Sequence, residues 1–238
     1  MCGRYVLSST GEDLADHYGI PLPPWYRLSF NVAPSHSVPV YHPTGPTAGW
    51  SQMRWGLTPA WAKRRVGPRG GVQLPTFINA RAETAPEKAS FRHAFRYARA
   101  LLPANAFYEW RKAESGIKQA YAIQRPSAEV FSMAALWDTW RDDNGESIAG
   151  VAVLTTQATS DLRFLHERMP VILHPDHYAL WLDPATPLEH LNALLVPTPP
   201  GILRSFPVSN RVSHVRENDA DLILPLAPSE VDKGFDEL

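Results

Sequence analysis

Short apolar runs dominate this chain, and few of them carry a helical period. Ser37–His42, Trp50–Gly56, Ala100–Trp110, Gln119–Gln124, Val130–Trp137, Ile148–Thr156, Val171–Leu173 and Leu203–Val208 are rich in β-branched, aromatic and small apolar residues. Turn formers bound most of them, which predicts strands. Helical signals are sparser. Thr10 to Tyr18 opens on a capping residue, has Asp13 three positions on and stops at Gly19. Thr84 and Glu87 have capping-box spacing with Pro86 in the first turn, and Phe91, Ala94, Phe95 and Ala98 mark one face of the helix expected after them. Two further short helices are expected at Ser160–Leu165 and Pro187–Leu195. Many strands with few helices between them predict an α+β fold: one domain on a curved, barrel-like, mainly antiparallel sheet with flanking helices. That domain is expected to span residues 1–225, with 226–238 as an acidic C-terminal tail. Ala62–Pro75, rich in Gly, Pro and Arg, reads as a mobile basic loop. It is not a phosphate loop, because no Gly-Lys-Ser/Thr follows its glycines.

Composition narrows the class. With 238 residues and 44% hydrophobic positions, the chain can bury a core without covalent staples. A charged fraction of 20% and a net charge of −1 exclude a disordered, charge-rich chain. No apolar run reaches the roughly 18 residues of a membrane helix. The N-terminus has no basic segment leading into an apolar stretch, so no export signal is expected. Its single cysteine excludes an intramolecular disulfide and a multi-Cys zinc site. His174 and His177 have no third ligand at useful spacing, so neither metal nor cofactor is expected. These features point to a cytoplasmic protein without a membrane partner, and nothing demands more than a monomer. The small net charge hides an asymmetry: residues 1–118 hold 15 Lys+Arg against 7 Asp+Glu, and residues 119–238 hold 8 against 17. A basic half suits an anionic partner such as a polynucleotide, though two oppositely charged halves can also simply coexist on one surface.

The lone cysteine is residue 2. Removal of Met1 leaves a free α-amine and a thiol on neighbouring carbons. The amine has a reference pKa of about 7.7–8.0 and the thiol about 8.5, so both are usable nucleophiles near neutrality. Such a 1,2-aminothiol attacks an aldehyde twice: the amine forms a Schiff base, then sulfur closes a five-membered thiazolidine. An internal cysteine cannot do this, since its nitrogen is tied in an amide. The plain alternative is a small buried hydrophobe.

Several segments are distinctive in combination: Met1-Cys2-Gly3-Arg4-Tyr5, Asn31-Val32-Ala33-Pro34, Trp55-Gly56-Leu57-Thr58-Pro59-Ala60-Trp61, Asn79-Ala80-Arg81-Ala82-Glu83-Thr84, Leu102-Pro103-Ala104, Phe107-Tyr108-Glu109-Trp110, Thr155-Thr156 and His166-Glu167-Arg168-Met169-Pro170. In this order, after a cysteine at position 2, they resemble the SOS response-associated peptidase (SRAP) family from residue 2 to about Asn210. The resemblance implies a compact α+β domain around a curved sheet. It also implies a sensor of abasic sites in single-stranded DNA that crosslinks covalently through the N-terminal cysteine and shields the lesion. The chemistry implied is lyase-like Schiff-base formation, with a proposed autoproteolytic loss of Met1.

Residue by residue, the resemblance makes Cys2 the nucleophile. Asn79 becomes the amide that orients the N-terminus and the attached sugar, Glu109 the acid/base, and His166 the imidazole at the sugar. It makes Arg81 and Arg168 phosphate contacts, places Arg4 and Thr155 in DNA-proximal segments, and puts Trp61 and Trp110 among aromatics near the DNA. Elementary chemistry agrees for Glu109, whose aromatic neighbours in sequence should desolvate it and raise its pKa toward the useful range. Asn105-Ala106 and Ala135 depart from the usual pattern, which has glycine at or near these places. A turn at Ala106 must therefore avoid positive φ. Two other classes remain open: a hydrolase using Cys2 as an N-terminal nucleophile with Glu109 or His166 as base, and a non-covalent single-strand binding module with arginines on phosphates and aromatics on bases.

Overall fold

A computed structural model describes residues 2–42, 49–66, 72–112, 118–142 and 144–227, together with Gly116, Ser229 and Val231. Its strands are β1 (Tyr5–Leu7), β2 (Ser29–Val32), β3 (Ser37–His42), β4 (Gly49–Trp55), β5 (Arg65–Val66), β6 (Val72–Gln73), β7 (Asn79–Arg81), β8 (Arg99–Ala104), β9 (Ala106–Lys112), β10 (Lys118–Gln124), β11 (Phe131–Arg141), β12 (Ser147–Gln157), β13 (Arg168–Pro170), β14 (Ile172–Leu173) and β15 (Arg204–Pro207). The helices are α1 (Gly11–Tyr18), α2 (Arg92–Tyr97), α3 (Tyr178–Leu182) and α4 (Leu188–Leu194).

The order β3-β4-β12-β11-β8 closes on itself. Tyr41 of β3 opposes Leu101 of β8, Gly150 and Val151 of β12 run parallel to Arg54 and Trp55 of β4, and β12 pairs antiparallel with β11 from Val153 to Ser147. Closure removes free sheet edges. It also explains why the long runs read as continuously apolar. Val38, Val40, Met53, Trp55, Ala100, Leu102, Met133, Ala135, Val151 and Val153 fill one buried cluster inside the ring. The alternating residues Leu101, Ala134, Leu136, Ala152 and Leu154 belong to another, packed under α2, α3 and α4. Strands covered on both faces lose their polar alternation.

A second sheet, ordered β15-β10-β9-β1-β2, is antiparallel throughout. Its outer face, with Val6, Ala106, Tyr108, Ala120 and Ala122, is covered by Val212 and Leu222 from two short 3₁₀ turns. The expected strand Ala100–Trp110 is therefore two strands, broken at Asn105 where the chain passes from ring to second sheet. Buried Asn105 holds that corner. Its Oδ1 accepts from the Ser8 and Ser9 amides at 2.9 and 3.0 Å, and its Nδ2 donates to Ser9 Oγ at 2.9 Å and Ala128 O at 3.1 Å. A side-chain amide thus does what a tight glycine turn would do, and Ala106 is not among the described residues with positive φ.

Three expectations need correction. The helical face at Phe91, Ala94, Phe95 and Ala98 forms, with Phe95 N–H on Phe91 O and Ala98 N–H on Ala94 O, but the helix does not start at the Thr84/Glu87 box. Separate turns follow one another there (Ala85 N–H to Arg81 O, Lys88 N–H to Thr84 O), and α2 begins only at Arg92. Ser160–Leu165 is a set of turns, not a helix, with Leu162 and Leu165 buried. In the basic loop, Arg65–Val66 pairs with Val72–Gln73 as a short ribbon, while its tip, residues 67–71, lies outside the described residues, as do 232–238 of the acidic tail. By contrast α1 forms as read, with a reciprocal Thr10/Asp13 cap and Gly19 left-handed at φ 70°.

Ring closure depends on Gly150. A Cβ added there would lie 2.4 Å from Gly56 O and 3.1 Å from Leu57 Cα. Backbone cannot retreat from both β12 and its parallel neighbour at once. Gly150→Ala is expected to destabilise the fold by about 2 kcal/mol, roughly 6 °C in Tm. Thermal unfolding of the variant checks this, and an unchanged Tm would mean that the β4–β12 junction is not closed as described.

Candidate functional site

The site lies where the second sheet meets the ring. Cys2 precedes β1, and β1 is held on β9 through Tyr5↔Phe107 and Val6↔Ala106, with Tyr108 N–H donating to Arg4 O at 2.9 Å. This pairing brings the N-terminus alongside Glu109. Asn79 stands in β7, which runs parallel to β12 from Asn79↔Val153 to Arg81↔Thr155. Its Nδ2 donates to Cys2 O at 2.8 Å, so a ring-associated strand grips the N-terminal peptide directly. Asn79 Oδ1 is buried without a hydrogen-bond partner among the described residues.

Cys2 is fully buried, within the ring cluster. Burial first, and the Glu109 carboxylate second, push its thiol well above the ordinary range. The sulfur is therefore neutral at rest. Glu109 is 5% exposed, and burial raises its carboxyl above the ordinary value of 4.5. Burial thus favours the neutral form of both groups. Glu109 shares a small cavity with Phe107, Leu162, Leu165 and His166. His166 is half-buried, and desolvation lowers its pKa, which favours neutral imidazole. Its Nδ1 accepts from the Arg168 amide at 2.9 Å, which places the ring proton on Nε2.

A cleft of about 760 Å³ adjoins this centre and is lined by Arg81, Glu83, Gln157, Arg163, His166 and Arg168 among others. Arg81 is exposed there. Arg168 is held by two residues, Glu83 and Thr155. Its Nη1 and Nη2 meet Glu83 at 2.7 and 2.8 Å, and Nη2 also donates to Thr155 O. Thr155 itself is fully buried, its hydroxyl on Ala80 O at 3.4 Å, so it reaches the cleft only through Arg168.

The remaining expected residues are more dispersed. Arg4 is turned to the protein, donating to Asn31 Oδ1 at 3.0 Å, Val212 O at 3.3 Å and Ser213 O at 3.2 Å, which ties the N-terminal strand to the C-terminal segment. Trp110 is half-buried with Nε1 on Ser213 Oγ at 3.0 Å. Trp61 is 57% exposed and pinned by Nε1 to Ala89 O at 3.1 Å. The structure thus brings Cys2, Asn79, Glu109 and His166 together, with Arg81 and Arg168 beside them. Arg163 and Glu83 join the cleft without having been singled out. Glu83 lay inside a quoted motif, and the signal that it mattered was an acid two residues from an arginine in a basic half.

Two sheets thus meet over the buried Cys2, next to the N-terminus, with a carboxyl, an imidazole and a carboxamide around it. The chain belongs to the SOS response associated peptidase (SRAP) family, whose family model matches residues 1–215. It is 35% identical over 228 residues to the abasic site processing protein YoaM of Bacillus subtilis, covering 94% of this chain and 97% of that one. It is 29% identical to the abasic site processing protein YedK of Escherichia coli, with 95% and 100% covered, and 30% identical to the abasic site processing protein HMCES of Gallus gallus, with 97% and 80% covered. A crystal structure of a Bacteroides thetaiotaomicron protein shares the fold with a TM-score of 0.81 at 23% identity, covering 95% of this chain and all of that one. No helix among the described residues is long and apolar enough to cross a membrane.

Proposed function

We propose that this protein captures abasic sites in single-stranded DNA as a covalent thiazolidine through Cys2, after Met1 has left. The observation that supports this reading best is the grip of Asn79 on the Cys2 carbonyl beside a buried carboxyl and a neutral imidazole. The α-amine of Cys2 attacks C1′ of the ring-opened sugar; the C=O π electrons move to oxygen, which takes one proton from the new ammonium nitrogen and becomes the carbinolamine hydroxyl. A protonated Glu109 gives its proton to that hydroxyl, which departs as water while the nitrogen lone pair forms the C=N bond. The amine's surplus proton returns to the Glu109 carboxylate. The Cys2 thiol then adds to the imine carbon: its S–H proton passes to nitrogen and the C–S bond closes the ring. No oxidant or reductant is needed.

The raised thiol pKa fits this order. A neutral buried sulfur is a poor first nucleophile, so the amine leads and sulfur follows at a carbon held next to it. For the same reason the hydrolase reading, which needs a ready thiolate, is the weaker one. Asn79 Oδ1, partnerless and buried, suits a sugar hydroxyl. Arg81, Arg163 and Arg168 line the route for phosphates.

A denaturing gel tests the proposal. Protein confirmed by intact mass to lack Met1 is incubated with single strands that carry one abasic site or none. A shifted band that survives boiling, present only with the abasic strand, is the expected result. No such band, from folded protein without Met1, would overturn the covalent reading. Arg81 gives a second check. Arg81→Ala is expected to weaken binding to every single strand and to reduce the slope of log affinity against log salt by about one unit. An unaltered slope, measured by fluorescence anisotropy between low and moderate salt, would remove Arg81 from the phosphate contacts.

A further inference from the structure

The turn between β12 and β13 carries more than His166. Its backbone is closed by Leu162 and Arg163 N–H to Thr159 O and by Ala158 N–H to Glu167 O at 2.8 Å. Leu162 and Leu165 point down into the protein. Arg163 faces the cleft. Phe164, between them, is 47% exposed, although burying it would be favourable. It is also held in place. The Arg111 guanidinium lies over its ring at 5.8 Å from the centroid, and Tyr121 meets it edge-on at 5.8 Å and 88°.

The location follows from strand register. Tyr121 stands directly opposite Glu109 in the β9–β10 pair, and Arg111 follows Glu109 by two residues on the same face of β9, about 6.7 Å along the strand. The exposed ring is therefore one strand step beyond the acid of the reacting centre, with the cleft arginines on the other flank of the same turn. Exposed Arg81 and Arg163 in the cleft, next to a fixed aromatic face, match the combination of cations and stacking surface by which single strands are held without reading sequence.

We propose that Phe164 is a stacking platform for the nucleobase that flanks the abasic sugar, with Arg111 and Tyr121 fixing the ring. This rests on the proposed capture of abasic single strands and adds to it a subsite that grips the intact neighbour. A lesion without a base cannot itself be recognised by stacking, so a neighbouring base supplies affinity that the lesion lacks. Any of the four bases would serve, because each has a π face.

The test uses full-length protein and abasic strands with 2-aminopurine on the 5′ or the 3′ side of the lesion. Wild type is expected to quench 2-aminopurine at one of the two positions. Phe164→Ala is expected to lose that quenching and to capture sub-saturating DNA about tenfold more slowly, with Phe164→Trp restoring both. On a strand whose flanking nucleotides are base-free tetrahydrofuran residues, wild type and Phe164→Ala are expected to react equally. Equal capture of the base-flanked strand by both proteins, or the same loss on the base-free strand, would overturn the subsite; the second result would mark Phe164 as purely structural. If wild type formed no adduct anywhere yet still quenched 2-aminopurine in a Phe164-dependent way, the covalent reading would fall and the stacking site would stand.

Discussion

Cys2→Ala protein is expected to yield no boiling-stable adduct with abasic single-stranded DNA, a loss of essentially the whole wild-type signal. The change removes one sulfur from a packed site and leaves the backbone amine, the Asn79 grip and the cleft arginines in place. Binding to intact single strands should therefore persist. What is lost is the second bond. An amine alone can form only the imine, which water reverses, whereas sulfur converts it to a saturated ring carbon. Borohydride added during incubation should trap the imine from the variant as a stable amine-linked product, and omission of borohydride should leave free DNA after boiling. A heat-stable adduct from Cys2→Ala without reductant would rule out the thiazolidine.

Glu109→Gln is expected to slow capture by about 100-fold, the usual worth of a positioned acid/base. The isostere keeps size and hydrogen-bonding capacity and removes only the transferable proton. Its pH behaviour separates chemistry from architecture. The folded-state pKa of Glu109 is raised by burial, so the folded protein holds that proton more tightly than the unfolded chain does. The associated stability is fully present below the ordinary value of 4.5 and is lost as pH rises through the raised folded value. At pH 7–8 the wild type therefore carries the cost of a buried ionisable carboxyl, and Glu109→Gln should melt no lower than wild type. Capture by wild type should decline as pH rises through the raised folded value of Glu109, because the proton donor is lost, and the variant's rate should lack that limb. Rates equal to wild type from pH 6 to 8, or a large drop in Tm, would reassign Glu109 to a structural role.

The reach of pattern reading differed between parts of the chain. Long strands such as β11 and β12 were legible because burial on both faces leaves an unbroken apolar run. The cap of α1 was legible because Thr10 and Asp13 bond to one another locally. The strands that position the chemistry were not. β1, β7 and β13 have only three residues each, too few for a period to show, and they exist because a partner strand supplies their ladder. The strand break at Asn105 was hidden for a related reason, since an asparagine in an apolar run reveals its role only when Ser8, Ser9 and Ala128 are seen around it. The helix expected after Thr84 kept its apolar face in α2 but not its start, where the local capping signal competed with the seating of Ala82 and Ala85 in the core.

The proposed covalent chemistry was readable from residue order. Once Met1 has left, a cysteine at position 2 has its amine and thiol on adjacent carbons whatever the fold, and an amide, a carboxyl and an imidazole in ordered motifs name the groups proposed to assist. Environment was readable only for Glu109, whose aromatic neighbours in sequence predicted the desolvation that raises its pKa. Whether the thiol is neutral, which nitrogen of His166 bears hydrogen, and whether an arginine faces solvent or the protein depend on burial and on partners far away in sequence. Arg4 and Arg81 show this most plainly. Both are arginines in distinctive motifs, yet one is bound to Asn31, Val212 and Ser213 and the other stands exposed in the cleft. Reactivity belongs to covalent structure, while pKa, orientation and exposure belong to the field and packing of the folded chain.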